Sequence, residues 1–303
     1  MKKYLRFFSF IIVGFTFACS YGDFTTHQIV ENKNFYNYYL FERNEGTSNK
    51  DLIVYLDGST MHSSLGLKGS ILPWKSISPA YILQKKLSKE YDFLVPERMN
   101  MEIGKDYNND TLRLREYTLK NRTEAAVKCV NEIITKQLYA NIYIIGYSEG
   151  SLILPKVYNS LINKDRIKKL ISIAGGGYVY YDMIKASLLE RGLSQHFIDS
   201  TIAEYKKDPN SVTKFAFGHP NNKWNDFLYY DPLEEYKKID IPILVIHGDA
   251  DKNGPVEASR FLKRKFDEYG KKNLEYLEVK NAVHNFEDQY EQVITEIETF
   301  IKK

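Results

Sequence analysis

Ser148, Asp251 and His284 are residue types that together can activate a nucleophile, and they stand in that order along the chain. A serine hydroxyl attacks a carbonyl only weakly until a base takes its proton. The base works best when an acid fixes its tautomer and stabilises its charge. Ser148 sits in Gly146-Tyr147-Ser148-Glu149-Gly150, a glycine-x-serine-x-glycine pentad. Taking Gly and Ser each near 7% of residues, such a pentad arises by chance in roughly one chain in ten of this length, so its flanks matter. Ile142, Ile144 and Ile145 form an apolar run that ends at Gly146, and a helical pattern follows from Ser151 to about Leu161. The pattern predicts a buried strand, a sharp turn and a helix, with the serine at the apex. There the backbone is strained, only glycine fits two residues to either side, and the hydroxyl sits at a helix N-terminus whose N–H groups can stabilise an oxyanion.

The other elements must carry the partners to the same place. Buried strands are expected at Asp51–Leu56, Tyr91–Pro96, Lys169–Ala174, Ile241–Ile246 and Leu274–Val279. Helical patterns fall at Ser78–Glu90, Asn121–Leu138, Pro255–Tyr269 and Phe286–Ile301, with Pro155 kinking the post-serine helix or sitting near its first turns. Phe24–Val30 and Asn34–Arg43 read as an opening hairpin, and Glu97–Thr118 as a long polar segment across the rim. This alternation predicts a mostly parallel, doubly wound α/β sheet with an antiparallel edge. Residues 178–230 break the alternation. They carry helical stretches and scattered aromatics without a strand pattern, and read as a helical cap inserted in a domain spanning 21–303.

Ligands of such sheets bind outside the carboxyl ends of the strands. Gly58 and Ser59 follow one strand, His247-Gly248-Asp249-Ala250-Asp251 another, and Asn281-Ala282-Val283-His284 the last. Gly58, lacking a Cβ, lets its loop pass close to a substrate. The N–H groups of Ser59 and Glu149 are the expected oxyanion donors. Asp249 competes with Asp251 as the acid and reads better as a residue that orders its loop. His247 reads as a satisfied structural histidine; His62, His196 and His219 read as surface or loop residues. Glu97 and Arg98 read as a solvated rim pair. Tyr147 and Trp224 are candidate pocket residues, although packing of the insertion also accounts for Trp224.

The chain has 303 residues, 43% of them hydrophobic, and a net charge of +3. That charge is too small to imply a nucleic-acid partner. The 24 tyrosines and 17 phenylalanines read mainly as the coding bias of an AT-rich genome. Met1–Arg6 is basic and Phe7–Phe17 apolar, but too short for the roughly 20 residues that cross a bilayer. Residues 1–18 therefore read as a signal peptide. Thr16-Phe17-Ala18-Cys19 resembles a bacterial lipobox that would lipidate Cys19, while Ala18-Cys19-Ser20 also suits ordinary cleavage. Membrane contact is expected only through such a lipid. After Cys19 the sole cysteine is Cys129, read as a small core residue. No metal cluster and no cofactor motif is evident.

Taken with these residues, the chain resembles the α/β-hydrolases over essentially its whole mature length. Ser148-Glu149-Gly150 with Ile153 and Pro155 is similar to a run found in secreted bacterial esterases and peptidase-like hydrolases. His247-Gly248-x-x-Asp251 is similar to the family's acid loop, and Asn281–Phe286 to its histidine loop. Two positions depart from the pattern: Asp57-Gly58 replaces the usual His-Gly, and Ser151 stands where many relatives carry glycine. The resemblance implies Ser148 as nucleophile, Asp251 as acid and His284 as base, and a secreted serine hydrolase with no metal or organic cofactor. An ester substrate is favoured because the cap is small and because no room is expected for an N-terminal propeller or a large substrate-gating domain; peptide and thioester substrates stay open. The contrasting expectation is a surface lipoprotein that binds a ligand on this scaffold without turnover.

Overall fold

The computed structural model describes residues 24–43, 50–60, 62–65, 79–105, 107, 110–136 and 138–303. The signal sequence, Cys19, the turn at 44–49 and most of the loop after Thr60 lie outside the described residues.

The strands are β1 (Thr25–Glu31), β2 (Asn34–Phe41), β3 (Lys50–Leu56), β4 (Asp92–Pro96), β5 (Tyr139–Tyr147), β6 (Ile167–Ile173), β7 (Phe215–Ala216), β8 (His219–Pro220), β9 (Ile243–Gly248) and β10 (Leu274–Val279). Among the described residues, eight form one sheet in the order β1-β2-β4-β3-β5-β6-β9-β10. β1 and β2 pair antiparallel, as do β2 and β4; the remaining pairs are parallel. The helices are α1 (Pro79–Leu87), α2 (Thr111–Glu116), α3 (Leu119–Lys136), α4 (Glu149–Ser160), α5 (Tyr180–Glu190), α6 (Gln195–Lys207), α7 (Trp224–Phe227), α8 (Pro232–Tyr236), α9 (Val256–Glu268) and α10 (Tyr290–Lys302).

Strand side chains alternate between faces, and here each face has its own core. Leu52 and Val54 of β3, with Ile142 and Ile144 of β5, pack against α3, α4 and α9. Ile53, Tyr55, Tyr143 and Ile145 point the other way, toward α1 and α10. Helices on both faces explain why the central strands read as unbroken apolar runs. Edge strand β1 is largely exposed. Cys129 is a buried free thiol within the α3 face of the core.

Pro155 lies inside α4. Proline has no N–H to give the carbonyl four residues back, so the Ser151 carbonyl is left free. Tyr236 of α8 donates its hydroxyl to that oxygen at 3.2 Å. The break in the helix ladder is thereby satisfied from α8.

Three features differ from expectation. The stretch between β6 and β9 contains a small hairpin, β7–β8. Phe217 and Gly218 at its turn both have positive φ, 49° and 79°, the requirement of a tight two-residue turn; Phe-Gly lacks the Asn-Gly or Asp-Gly signature that would have marked it. The segment after β4 is not wholly polar loop, because Asp110 caps α2 by accepting from the Leu112 and Arg113 amides. Glu97 and Arg98 are not a solvated pair; both are buried.

Candidate active site

β5 ends at Tyr147 and α4 begins at Glu149. The whole turn is Ser148, held at φ 53° and ψ −118°, a conformation that costs a non-glycine residue on the order of 1–3 kcal/mol. The flanking glycines are required by contact. A Cβ at Gly146 would lie 2.5 Å from the Gly150 carbonyl oxygen, and one at Gly150 would lie 2.0 Å from the Leu56 carbonyl oxygen.

His284 Nε2 is 3.0 Å from Ser148 Oγ, and its Nδ1 is 2.7 Å from Asp251 Oδ2. A carboxylate can only accept, so Nδ1 carries the proton and Nε2 is free to take one from the serine. Tyr147 donates its hydroxyl to the His284 carbonyl at 3.2 Å, steadying the histidine loop. Asp251 Oδ1 accepts the Asn253 and Gly254 amides at 2.8 and 2.9 Å. Burial alone would raise the Asp251 carboxyl, but hydrogen bonds from His247 and His284 prevail and hold it well below the usual carboxylate range. His247 is fully buried. Its Nε2 lies 3.2 Å from Asp251 Oδ2 and 2.8 Å from the Gly254 carbonyl, and its Nδ1 meets Ser259 Oγ at 2.7 Å. Asp249 is turned away, accepting the Asn281 amide.

A cleft of about 860 Å³ opens over Ser148. Gly58, Ser59, Tyr147 and Trp224 all line it. Trp224 serves packing as well, because its indole donates to the Ala216 carbonyl at 2.7 Å. Gly58 is close enough that a Cβ there would sit 3.3 Å from Ser148 Cβ. Glu149 is the first residue of α4, where an amide has no intrahelical acceptor. Among the described residues, no group of three or more His, Cys, Asp and Glu side chains is placed to hold a metal, and no helix is long and apolar enough to cross a membrane.

The side chain of Glu149 points into a buried ionic cluster that the sequence reading missed. Lys223 Nζ is 2.6 Å from its carboxylate and Arg122 Nε is 3.3 Å away. Tyr117 donates its hydroxyl at 3.0 Å. Burial alone would raise the Glu149 carboxyl, but Lys223 and then Arg122 outweigh it and hold it at about 2. Burial draws Lys223 down to about 8 against the pull of Glu149, so both are charged at neutral pH. His219, read as a loop residue, instead lines the cleft; burial and the nearby Lys223 charge draw its imidazole down to about 3, which keeps it neutral. A signal was present: a glutamate entering an otherwise apolar helix needs a buried counter-ion.

Removing one member of such a pair strands the other. Lys223→Met should cost about 3–5 kcal/mol, a fall in melting temperature of roughly 10 °C for a domain this large. Glu149→Leu combined with Lys223→Met should recover part of that loss. Because the folded Glu149 pKa lies below its ordinary 4.5, its stabilisation is complete above that value and is lost as pH falls from 4.5 toward 2. Thermal melts across pH 2–7 read both effects; an unchanged melting temperature for Lys223→Met would show that the pair contributes nothing.

A mostly parallel sheet wrapped by helices, with a serine turn after β5, an acid after β9 and a histidine after β10, is the α/β-hydrolase fold. Solved structures carry it too. Est1E from Butyrivibrio proteoclasticus with ferulic acid bound superposes with a TM-score of 0.64 at 18% identity, over 91% of this chain and 97% of that one. Acylaminoacyl peptidase from Pyrococcus horikoshii gives 0.61 at 15% identity, covering 91% of this chain but 41% of that one. Esterase Pf2001 from Pyrococcus furiosus gives 0.56 at 16% identity, over 92% and 90%. At these identities the likeness is one of fold. No protein-family model and no curated protein matches the sequence.

Proposed function

We propose that this protein is a serine hydrolase that cleaves a carboxylic ester through Ser148, His284 and Asp251. The observation that carries the reading is the unbroken chain of 3.0 and 2.7 Å contacts from Ser148 Oγ through His284 to Asp251. His284 Nε2 takes the serine proton as Oγ attacks the ester carbonyl. The negative charge that develops on the carbonyl oxygen is met by the N–H groups of Ser59 and Glu149. His284 then gives its proton to the departing alcohol, leaving an acyl-enzyme. Water enters, His284 acts as base again, and the acid is released with Ser148 restored. Asp251 holds the imidazole tautomer and offsets its transient charge. No metal or organic cofactor enters these steps. Residues 178–230 act as a cap over the acyl site, with Trp224 and Tyr147 in its wall. The N-terminal leader exports the chain, with Cys19 as a lipid attachment point at the cell envelope.

Labelling with a fluorophosphonate probe tests the reading. The folded protein should take up one equivalent, on the peptide that contains Ser148, and a series of p-nitrophenyl esters of increasing chain length should then size the acyl site. Folded protein that takes no label, or takes it elsewhere, would leave a ligand-binding role as the better account.

A further inference from the structure

A backbone N–H stabilises an oxyanion only while its whole peptide unit is held at the right rotation. The Gly58–Ser59 peptide is trans, so the Gly58 carbonyl and the Ser59 N–H point in opposite directions. That carbonyl accepts a hydrogen bond from Arg98 Nη2 at 2.7 Å. Arg98 is 5% exposed and follows β4, so the carbonyl is drawn into the protein. The Ser59 N–H is thereby turned outward, and Ser59 lines the cleft that holds Ser148. Among the described residues no protein acceptor takes that N–H.

The grip extends to both sides of Ser59. Arg98 Nη1 donates to the His62 carbonyl at 2.8 Å. One residue before Gly58, Arg122 Nη2 donates to the Asp57 carbonyl at 2.6 Å. The carboxylates of Asp57 and Glu97 lie 3.9 and 3.7 Å from the Arg98 guanidinium. They approach the same two nitrogens that hold the loop, Nη2 and Nη1, but from beyond hydrogen-bond distance, so they offset the charge while the hydrogen bonds go to the loop carbonyls.

We propose that Arg98 is a positioning residue: by holding the Gly58 carbonyl it aims the Ser59 N–H at the oxyanion that forms over Ser148. The inference rests on the serine hydrolase reading and deepens it. A counter-ion for Asp57 and Glu97 would need only a positive charge. Aiming the peptide needs the planar fork, which spans two carbonyls as an ammonium cannot.

Fluorophosphonate labelling of the wild type comes first; an unreactive wild type would overturn the hydrolase reading and this inference with it. Given a reactive wild type, Arg98→Lys should lower kcat on the order of 10²–10³-fold, the loss typical of one misplaced oxyanion donor, with KM within about threefold. A trifluoromethyl ketone, which mimics the tetrahedral adduct, should lose affinity in proportion to kcat/KM. Added methylguanidinium should restore at least tenfold of the activity lost in Arg98→Ala. A folded Arg98→Lys with kcat within threefold of wild type, or a loss confined to KM, would overturn the proposal. Should both variants fail to fold, a structure of the wild-type adduct with the ketone decides: its oxyanion should lie about 2.7–3.1 Å from Ser59 N with the Gly58 carbonyl still on Arg98. A flipped peptide, or an oxyanion beyond that reach, would overturn it.

Discussion

Ser148→Ala should lower kcat for ester hydrolysis by about 10⁶-fold, the scale seen when the nucleophile of such a triad is removed. The residual rate should still exceed that in water, because the Ser59 and Glu149 amides and the cleft remain. Little of the loss should reflect unfolding. Alanine keeps the Cβ at φ 53°, so the backbone strain persists and only the hydroxyl contact to His284 disappears. Ser148→Gly should be equally inactive yet melt higher than Ser148→Ala, since glycine enters this region without a Cβ penalty. Steady-state kinetics and melting curves of the two variants together separate chemistry from strain. A Ser148→Ala enzyme retaining a hundredth of wild-type kcat would remove Ser148 as the nucleophile.

Asp251→Asn should cost about 10⁴-fold in kcat, and the contacts of the carboxylate say why. Oδ1 accepts two backbone amides, from Asn253 and Gly254, so an asparagine must keep its carbonyl oxygen there. Its NH₂ then faces His284 Nδ1, where Asp251 presented an acceptor. His284 is forced to accept at Nδ1 and carry its proton on Nε2, the nitrogen that should receive the Ser148 proton. The same NH₂ faces His247 Nε2, which already has the Gly254 carbonyl as an acceptor, so two donors oppose each other in a buried site. Stability should fall as well. The wild-type Asp251 carboxyl is held below its unfolded value of 3.8, so its contribution is complete above that pH and is lost as pH falls below it. The variant should lack that acid dependence. Asp249→Asn, altering a carboxylate that only orders the Asn281 loop, should stay within a few-fold of wild type in kcat. Reversed ranks for the two variants would assign the acid to Asp249.

What could be read from the sequence was local or periodic. The Ile142–Ile145 run and the glycines around Ser148 encode strand and turn within a few residues, and Asp251 and His284 follow apolar strands. The alternation of strands and helices was enough to predict a mostly parallel, doubly wound sheet with an antiparallel edge; the α/β-hydrolase reading came from the resemblance of the serine, acid and histidine motifs. What could not be read depends on contacts between distant segments. Arg98 reaches Gly58 across 40 positions, and nothing beside Glu97 and Arg98 in the chain marks them as buried. Lys223 and Arg122 come from opposite sides of Glu149 in sequence and meet its carboxylate only in the fold. The β7–β8 hairpin went unread because its strands have two residues each, below the length at which alternation can be recognised.

The pairing of Lys223 with Glu149 bears on how this architecture can be engineered. Many designs treat a segment between two strands as an exchangeable module that carries specificity while the scaffold carries reactivity. Here the segment between β6 and β9 supplies the ammonium that neutralises the residue next to Ser148. A chimera with a foreign segment would leave that carboxylate uncompensated beside the serine turn. Transplants into this scaffold must therefore bring a lysine to the same spot, or be made together with a neutral residue at position 149.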